Sequence, residues 1–356
     1  MKILYVTTVG GTMDFFKVLI SDLIKQGHKV DIATNRSNSH LSNYFIDLGC
    51  KIYDISTSRS PLSFGNIKAI KQLRNIAKDY DIVHCHTPLA GMATRLACKS
   101  LRKKNKLKVI YTAHGFHFYK GAPKKNWLIY YPIERYCSKF TDALIVINTE
   151  DYDFAKRKMK SKNIYYVPGV GIDVNSFKNH VVDGKEKRKE IGVPEDSFLI
   201  LSVGELNVNK NHQIVIKALS RLKNSNIHYV IAGVGDQKEN LINLSKELSV
   251  NLHLLGFRKD VCDLYKIANL YILPSIREGL NVSVMEAMAS GCPVIASDIR
   301  GNRDMVLSKN LFDPLDDEFI SKLIDKKPVE NSDFVSKIDY SLINKNIIDI
   351  YQEIIK

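Results

Sequence analysis

The stretch Leu270-Tyr-Ile-Leu-Pro-Ser-Ile-Arg-Glu278-Gly-Leu-Asn-Val-Ser-Val-Met-Glu286-Ala-Met-Ala-Ser-Gly-Cys-Pro-Val-Ile-Ala-Ser297 changes periodicity twice. Leu270–Leu273 is a short apolar run that reads as a buried strand, closed by the turn residues Pro274-Ser275 and Glu278-Gly279. From Asn281 onward the spacing of Val282, Val284-Met285 and Met288-Ala289 predicts a short helix, stopped at Gly291 with Pro293 two residues beyond. Val294–Ala296 is apolar again and predicts a second strand. A strand, a loop, a helix and a strand make one unit of a parallel α/β sheet.

The same alternation runs through the chain. Apolar runs at Ile3–Val6, Val30–Ala33, Ile52–Ile55, Ile82–Cys85, Val109–Thr112 and Leu144–Ile147 are separated by helix-like segments, and the pattern resumes at Leu199–Val203, His228–Ala232 and Leu252–Leu255. With 356 residues the chain exceeds what one hydrophobic core usually serves, so two doubly wound, Rossmann-like α/β domains facing a cleft are predicted. The polar stretch after Val167-Pro-Gly-Val-Gly171 places the division at residues 1–175 and 176–338, with a helical segment at 339–356. Ligands of such sheets bind beyond the carboxyl ends of the strands. On this reading Glu278 sits on a loop and Glu286 within a helix. The helix start, from Gly279 through Leu280, Asn281, Val282 and Ser283, offers unpaired amides to an anionic ligand. Carboxylates repel phosphate but accept strongly from hydroxyls, so sugar or ribose hydroxyls are their natural partners. The plainer alternative makes Glu278 a helix cap and Glu286 a solvated residue.

Composition narrows the function further. The hydrophobic share is 45%, and no apolar run approaches the ~20 residues that span a bilayer. The first residues read as a strand rather than a signal peptide, so a cytoplasmic protein is expected. The six cysteines are scattered without a CxxC pair and read as reduced core residues. His84-Cys85-His86 has metal-ligating residue types, but it ends a strand, whose side chains alternate between faces, and no metal is expected there. Residues 1–175 carry 28 Lys and Arg against 13 Asp and Glu, a net +15, whereas residues 176–356 carry 24 against 25. A one-sided excess of this kind suits a polyanion or an anionic membrane surface.

The segment Arg277-Glu278-Gly-Leu-Asn-Val-Ser-Val-Met-Glu286-Ala-Met-Ala-Ser-Gly-Cys-Pro-Val-Ile-Ala-Ser-Asp298 resembles the Glu-x7-Glu signature of the family 4 glycosyltransferases. The resemblance implies a retaining, metal-independent, cofactor-free enzyme of the GT-B fold that uses a nucleotide sugar as substrate. The sub-resemblance is to enzymes of capsule and exopolysaccharide synthesis. It implies that Glu278 holds donor sugar hydroxyls, that Glu286 holds the ribose, and that the last helix packs back on the N-terminal domain. Gly204-Glu-Leu-Asn-Val-Asn-Lys210 resembles the family's diphosphate loop, with Lys210 matching its lysine and Glu205 standing where arginine is usual. Arg258 is the candidate to replace that charge, and Gly256-Phe257 matches the place where the base is held. Gly10 and Gly11, directly after the first strand, match the loop near diphosphate and acceptor, and His114 matches a strand-end histidine that touches the donor sugar. Gly233-Val-Gly235 reads equally as a phosphate loop or as a plain turn.

Phe116-His-Phe-Tyr-Lys120-Gly-Ala-Pro-Lys124-Lys125-Asn-Trp127-Leu-Ile-Tyr-Tyr131 interleaves aromatics with lysines, and Leu101–Lys108 is a second basic run. Aromatics beside cations suit a membrane interface. The expected partners are therefore a UDP-linked sugar, a polyprenyl-diphosphate-linked glycan acceptor and the inner face of the cell membrane, with no nucleic acid. Two rivals stand beside this reading: a sugar-nucleotide epimerase of the same fold, and a nucleic-acid-binding protein suggested by charge alone, which would not require the glutamate pair.

Overall fold

The computed structural model describes residues 1–37, 39–58, 63–104, 107–328 and 331–356. They form two compact units, Met1–Gly171 with Tyr340–Lys356, and Ile172–Asp339. The expected boundaries were 175 and 338.

The first unit is built on seven strands: β1 (Lys2–Val6), β2 (Lys29–Thr34), β3 (Ile52–Asp54), β4 (Ile82–His86), β5 (Lys108–Ala113), β6 (Ala143–Val146) and β7 (Asn163–Tyr166). All neighbours pair in parallel, in the order β3-β2-β1-β4-β5-β6-β7. Side chains alternate across the sheet as the pleat requires. Ile3 and Tyr5 enter one apolar layer, and Leu4 and Val6 enter the other. The C-terminal helix Tyr340–Ile355 completes the first layer with Ile343, Ile347, Ile348, Ile350, Tyr351 and Ile354.

The second unit has six strands, β8 (Phe198–Val203), β9 (Ile227–Ala232), β10 (Asn251–Gly256), β11 (Leu270–Leu273), β12 (Val294–Ser297) and β13 (Leu311–Phe312), ordered β10-β9-β8-β11-β12-β13 and again parallel throughout. Each unit is thus an α/β domain with a doubly wound sheet. The order of strands reverses between β1 and β4 in one sheet and between β8 and β11 in the other. A crevice opens at such a reversal because the two connections leave in opposite directions, and this is where ligands of open sheets bind.

Two strands lay outside the sequence-based assignment. The edge strand β7 is Asn-Ile-Tyr-Tyr, half-buried at every position, and β13 has only two residues, so neither carries a strong apolar run. The six cysteines are unpaired, and five are buried. Among the described residues no helix is long and apolar enough to cross a membrane.

The basic, aromatic stretch departs from expectation. Phe116 and Phe118 are buried, and Trp127 packs against Phe118, Tyr131 and Phe154, so these rings form core rather than a surface. Their apolar area is better buried against one another than against water, and the helix Lys124–Ser138 turns its other face outward. Leu128 is 77% exposed, with Ile129 and Tyr136 about half exposed, flanked by exposed Lys124, Lys125, Arg135 and Lys139. The helix is fixed to the earlier helix Pro88–Cys98 by a buried ion pair between Arg95 and Glu134 at 2.8 Å. Asn105 and Lys106 of the second basic run lie outside the described residues.

Candidate functional site

In the C-terminal unit the loops that leave β8 and β11 at the reversal are tied to one another. Asn209 accepts from the Ile276 amide at 2.8 Å and donates through Nδ2 to the Arg277 carbonyl at 3.0 Å. Asn211 Nδ2 reaches the Pro274 carbonyl at 3.3 Å. These bonds bring Lys210 and Glu278 together. Lys210 Nζ lies 2.8 Å from Glu278 Oε1, and the two side chains are 16% and 15% exposed. Arg300, which the sequence reading passed over, donates from Nε to the Glu278 carbonyl at 3.2 Å and so holds the backbone from behind.

Glycines set how closely these loops approach. A Cβ on Gly233 would fall 1.8 Å from the Gly204 carbonyl oxygen, and one on Gly235 would fall 2.2 Å from that of Leu206. The Gly-x-Gly therefore serves backbone packing beneath the Gly204–Lys210 loop. Gly301, at φ 80°, supports the other loop in the same way, since a Cβ there would lie 2.0 Å from the Gly279 carbonyl oxygen.

The helix Val282–Ala289 starts where the sequence places it, with Asn281 as N-cap. Asn281 Oδ1 accepts from the Ser283 amide at 3.0 Å and from the Ser283 hydroxyl at 2.5 Å, and that hydroxyl also contacts Tyr271 at 2.6 Å. Asn281 and Ser283 are thus engaged with each other, as capping residues are. Among the described residues the amides of Val282 and Val284 make no hydrogen bond, which leaves two first-turn donors for an anion. Glu286 accepts from the Tyr265 hydroxyl at Oε2, 2.9 Å away, and its Oε1 makes no hydrogen bond among the described residues. Burial raises the Glu286 pKa, against the lowering effect of that hydroxyl. No spacing signal singled out Tyr265, which approaches from the helix Val261–Ile267.

Arg258, the candidate to replace the charge missing at Glu205, makes its contacts elsewhere. Arg258 is engaged by carboxylates: its Nε donates to Asp260 at 2.7 Å and its Nη2 to Glu190 at 2.5 Å, with Lys187 also bound to Asp260 at 2.9 Å. These partners hold the Arg258 pKa above its ordinary value. The guanidinium belongs to this cluster and makes no bond to Lys210 or Glu278. Glu205 is exposed and accepts from its neighbour Asn207 at 2.8 Å, so it does not compete for Lys210. Phe257 is 74% exposed beside Gly256, whose φ is 69°.

In the N-terminal unit the reversal lies at the ends of β1 and β4. A Cβ on Gly10 would meet the Ser39 carbonyl oxygen at 2.9 Å, and one on Gly11 would meet Ser39 Oγ at the same distance. The Gly11 amide also donates to Ser39 Oγ at 2.9 Å, so both glycines are used in packing this loop. His114 follows β5, is partly exposed, and has its Nε2 3.2 Å from His86 Nδ1. Burial lowers the His114 pKa to about 4, so the ring is neutral at physiological pH. Strand alternation turns Cys85 into the opposite core, as anticipated, but two-residue spacing puts His84 and His86 on one face, with ring centroids 4.2 Å apart. Among the described residues no group of three or more His, Cys, Asp and Glu is placed to hold a metal.

The arrangement offers one cation, two carboxylates and open amides at one strand crossing, a set matched to a ligand with both phosphate and hydroxyl groups. Residues 183–331 match the family model described as glycosyl transferases group 1, and residues 2–148 match glycosyl transferase 4-like. The putative glycosyltransferase EpsD of Bacillus subtilis (strain 168) is 37% identical over 314 residues, covering 86% of this chain and 81% of its own. The Escherichia coli UDP-Gal:alpha-D-GlcNAc-diphosphoundecaprenol alpha-1,3-galactosyltransferase is 30% identical over 265 residues, 70% of this chain and 67% of its own. In architecture the chain is similar to Anabaena HepE in complex with UDP-glucose, with a TM-score of 0.79 at 18% identity over 99% of this chain and 100% of that one.

Proposed function

Since the chain belongs to the group 1, type 4-like glycosyltransferases, we propose that it moves a sugar from a UDP-linked donor to a polyprenyl-diphosphate-linked glycan in surface polysaccharide synthesis, with retention of anomeric configuration. The observation that carries this reading is the Lys210–Glu278 pair at the β8/β11 reversal, beside a helix start with open amides. The relative that acts on a diphosphoundecaprenol-linked sugar supports the acceptor class, and the fold shared with a protein that binds UDP-glucose supports the donor.

In the proposed reaction the diphosphate meets Lys210 and the amides of Val282 and Val284. Glu278 accepts from hydroxyls of the transferred sugar, and Glu286 Oε1 accepts from those of the ribose. His114 meets the donor sugar. The bond between the sugar's anomeric carbon and the phosphate oxygen breaks, its electron pair leaves with UDP, and an acceptor hydroxyl oxygen bonds the same face of that carbon. The hydroxyl proton passes to the departing phosphate oxygen. Lys210 and the helix amides stabilise the charge that develops there, and the proposal invokes no metal or cofactor. Arg258 is left out of the phosphate contacts because its guanidinium is already engaged by Asp260 and Glu190, in a cluster it shares with Lys187.

We further assign the exposed face of Lys124–Ser138 to an anionic membrane surface, with Leu128, Ile129 and Tyr136 entering the headgroup boundary and the flanking cations meeting phosphate. The transfer reaction is tested by nucleotide release across UDP- and GDP-sugars in the presence and absence of a polyprenyl-diphosphate glycan. Acceptor-stimulated release of UDP is expected. Release of GDP alone, or conversion of the donor to an epimer without transfer, would contradict the proposal.

A further inference from the structure

The reaction outlined above uses His114 but not the histidine beside it. His86 ends β4 with its ring against Phe16 and Tyr5, at centroid distances of 4.2 and 5.6 Å, and is 1% exposed. Its Nδ1 faces His114 Nε2 at 3.2 Å, whereas its own Nε2 is buried with no hydrogen-bond partner. That orphan atom decides where the protons lie. Two neutral imidazoles sharing one hydrogen bond need one N–H and one lone pair between them. If His86 accepted at Nδ1, its proton would sit on Nε2 as a buried N–H with no acceptor, a defect that folded proteins rarely tolerate. If it donates from Nδ1, the orphan is only a bare lone pair, and no buried N–H goes unpaired.

We propose that His86 is a positioning residue that donates from Nδ1 to His114 Nε2 and so fixes the His114 proton on Nδ1, making His114 a hydrogen-bond donor to an oxygen of the sugar nucleotide. His114 Nδ1 makes no hydrogen bond among the described residues, so it is available for that contact. Burial places both pKa values below the usual histidine range, His114 at about 4, which keeps the pair neutral. The backbone beside His86 is consistent with a position held for function. Thr87 has φ 65° and ψ 146°, a conformation that β-branched residues avoid, and it is clamped there by Thr8, whose amide and hydroxyl lie 3.2 and 2.6 Å from Thr87 Oγ1. A ring protonated at Nδ1 cannot take up a proton at that atom. His114 therefore orients and polarises the donor, and the acceptor proton still leaves with the phosphate.

This inference rests on the reading that His114 meets the donor, and the two are separable by experiment. In the full chain labelled with 15N at histidine, long-range 1H–15N correlations at neutral pH report which nitrogen carries the proton, with the His114 signals identified by their loss in His114→Gln. The expected wild-type spectrum has His114 protonated at Nδ1 and bare at Nε2. In His86→Phe the ring reverts toward the Nε2–H form favoured by free imidazole. In His86→Asn, whose amide N–H can occupy the place of Nδ1–H, the Nδ1–H form persists. Over the same pair kcat/KM falls roughly tenfold and then recovers, the worth of one neutral hydrogen bond. His114 protonated at Nε2 in the wild type would overturn the inference without recourse to any variant. UDP-glucose should shift the His114 Nδ1 resonance; a bound complex that leaves it unmoved while Nδ1 stays protonated would sink the donor contact and uphold the tautomer.

Discussion

Histidine burial ties this protein's stability to pH at the level of single residues. Burial holds His84 at about 3, and His114 and His212 at about 4, against 6.5 for an unperturbed ring. A histidine whose folded pKa is depressed contributes stability that is fully present above 6.5 and lost as pH falls through the folded value, because the unfolded chain takes up the proton first. The arginine-paired carboxylates act lower down. Asp260 and Asp317 are held below 3.8 by Arg258 and Arg221, so their contributions fade only beneath that value. Between pH 6.5 and 4.5 the histidines should therefore dominate. The melting temperature, followed by calorimetry in constant ionic strength, should be flat from pH 8 to 7 and should fall steadily below 6.5; a melting temperature unchanged down to pH 4.5 would refute the burial argument. Its place at a strand end and the family resemblance suggested His114 as a site residue, while residue type and strand alternation left His84 and His86 as a rejected metal motif. Strand geometry was legible in the sequence, but the packing that makes a neutral histidine pair depends on a ring from the residue after β5, which sequence spacing does not contain.

Among elements, the strand, loop and helix around Glu278 and Glu286 were legible from periodicity and turn chemistry, because a buried parallel strand and a capped helix leave strong local patterns. What local pattern could not supply was support from other parts of the chain. Tyr265, Arg300 and Gly301 reach the site across the fold, and the carboxylate cluster that engages Arg258 includes Glu190 from a distant helix. Charge type made Arg258 attractive for phosphate; in three dimensions its guanidinium is engaged by Asp260 and Glu190. Gly301 gives the sharpest test at this scale. Alanine there combines a positive φ with a Cβ only 2.0 Å from the Gly279 carbonyl, so the loop carrying Glu278 must shift. Gly301→Ala should cost about 1–3 kcal/mol of stability in denaturant titration and lower kcat/KM more than tenfold, since a small displacement of a substrate-holding carboxylate is costly. Wild-type kinetics in a folded Gly301→Ala protein would show that the close approach does not position the loop.

On the scale of the whole molecule, each of the two parallel sheets reverses its strand order once, with the Lys210–Glu278 pair beside one reversal, and the charge is divided unequally between the halves of the sequence. Residues 1–175 carry +15 while the remainder is nearly neutral. An alternating β and α pattern was enough to predict two doubly wound sheets, whereas the short edge strands β7 and β13 gave too little apolar signal to be found. The uneven charge leads to a membrane prediction: the full chain should float with anionic vesicles at low salt and be released as salt rises, and Leu128→Ser with Ile129→Ser should weaken the association. No flotation with anionic vesicles at low ionic strength would remove the membrane assignment and leave the transfer chemistry in place. The central claim concerns that chemistry, and nucleotide release from a panel of UDP- and GDP-sugars, compared between wild type and Glu278→Ala, addresses it most directly. Acceptor-stimulated UDP release by the wild type, lost in a Glu278→Ala protein that still melts cooperatively, is the predicted result; full UDP release by Glu278→Ala would contradict it.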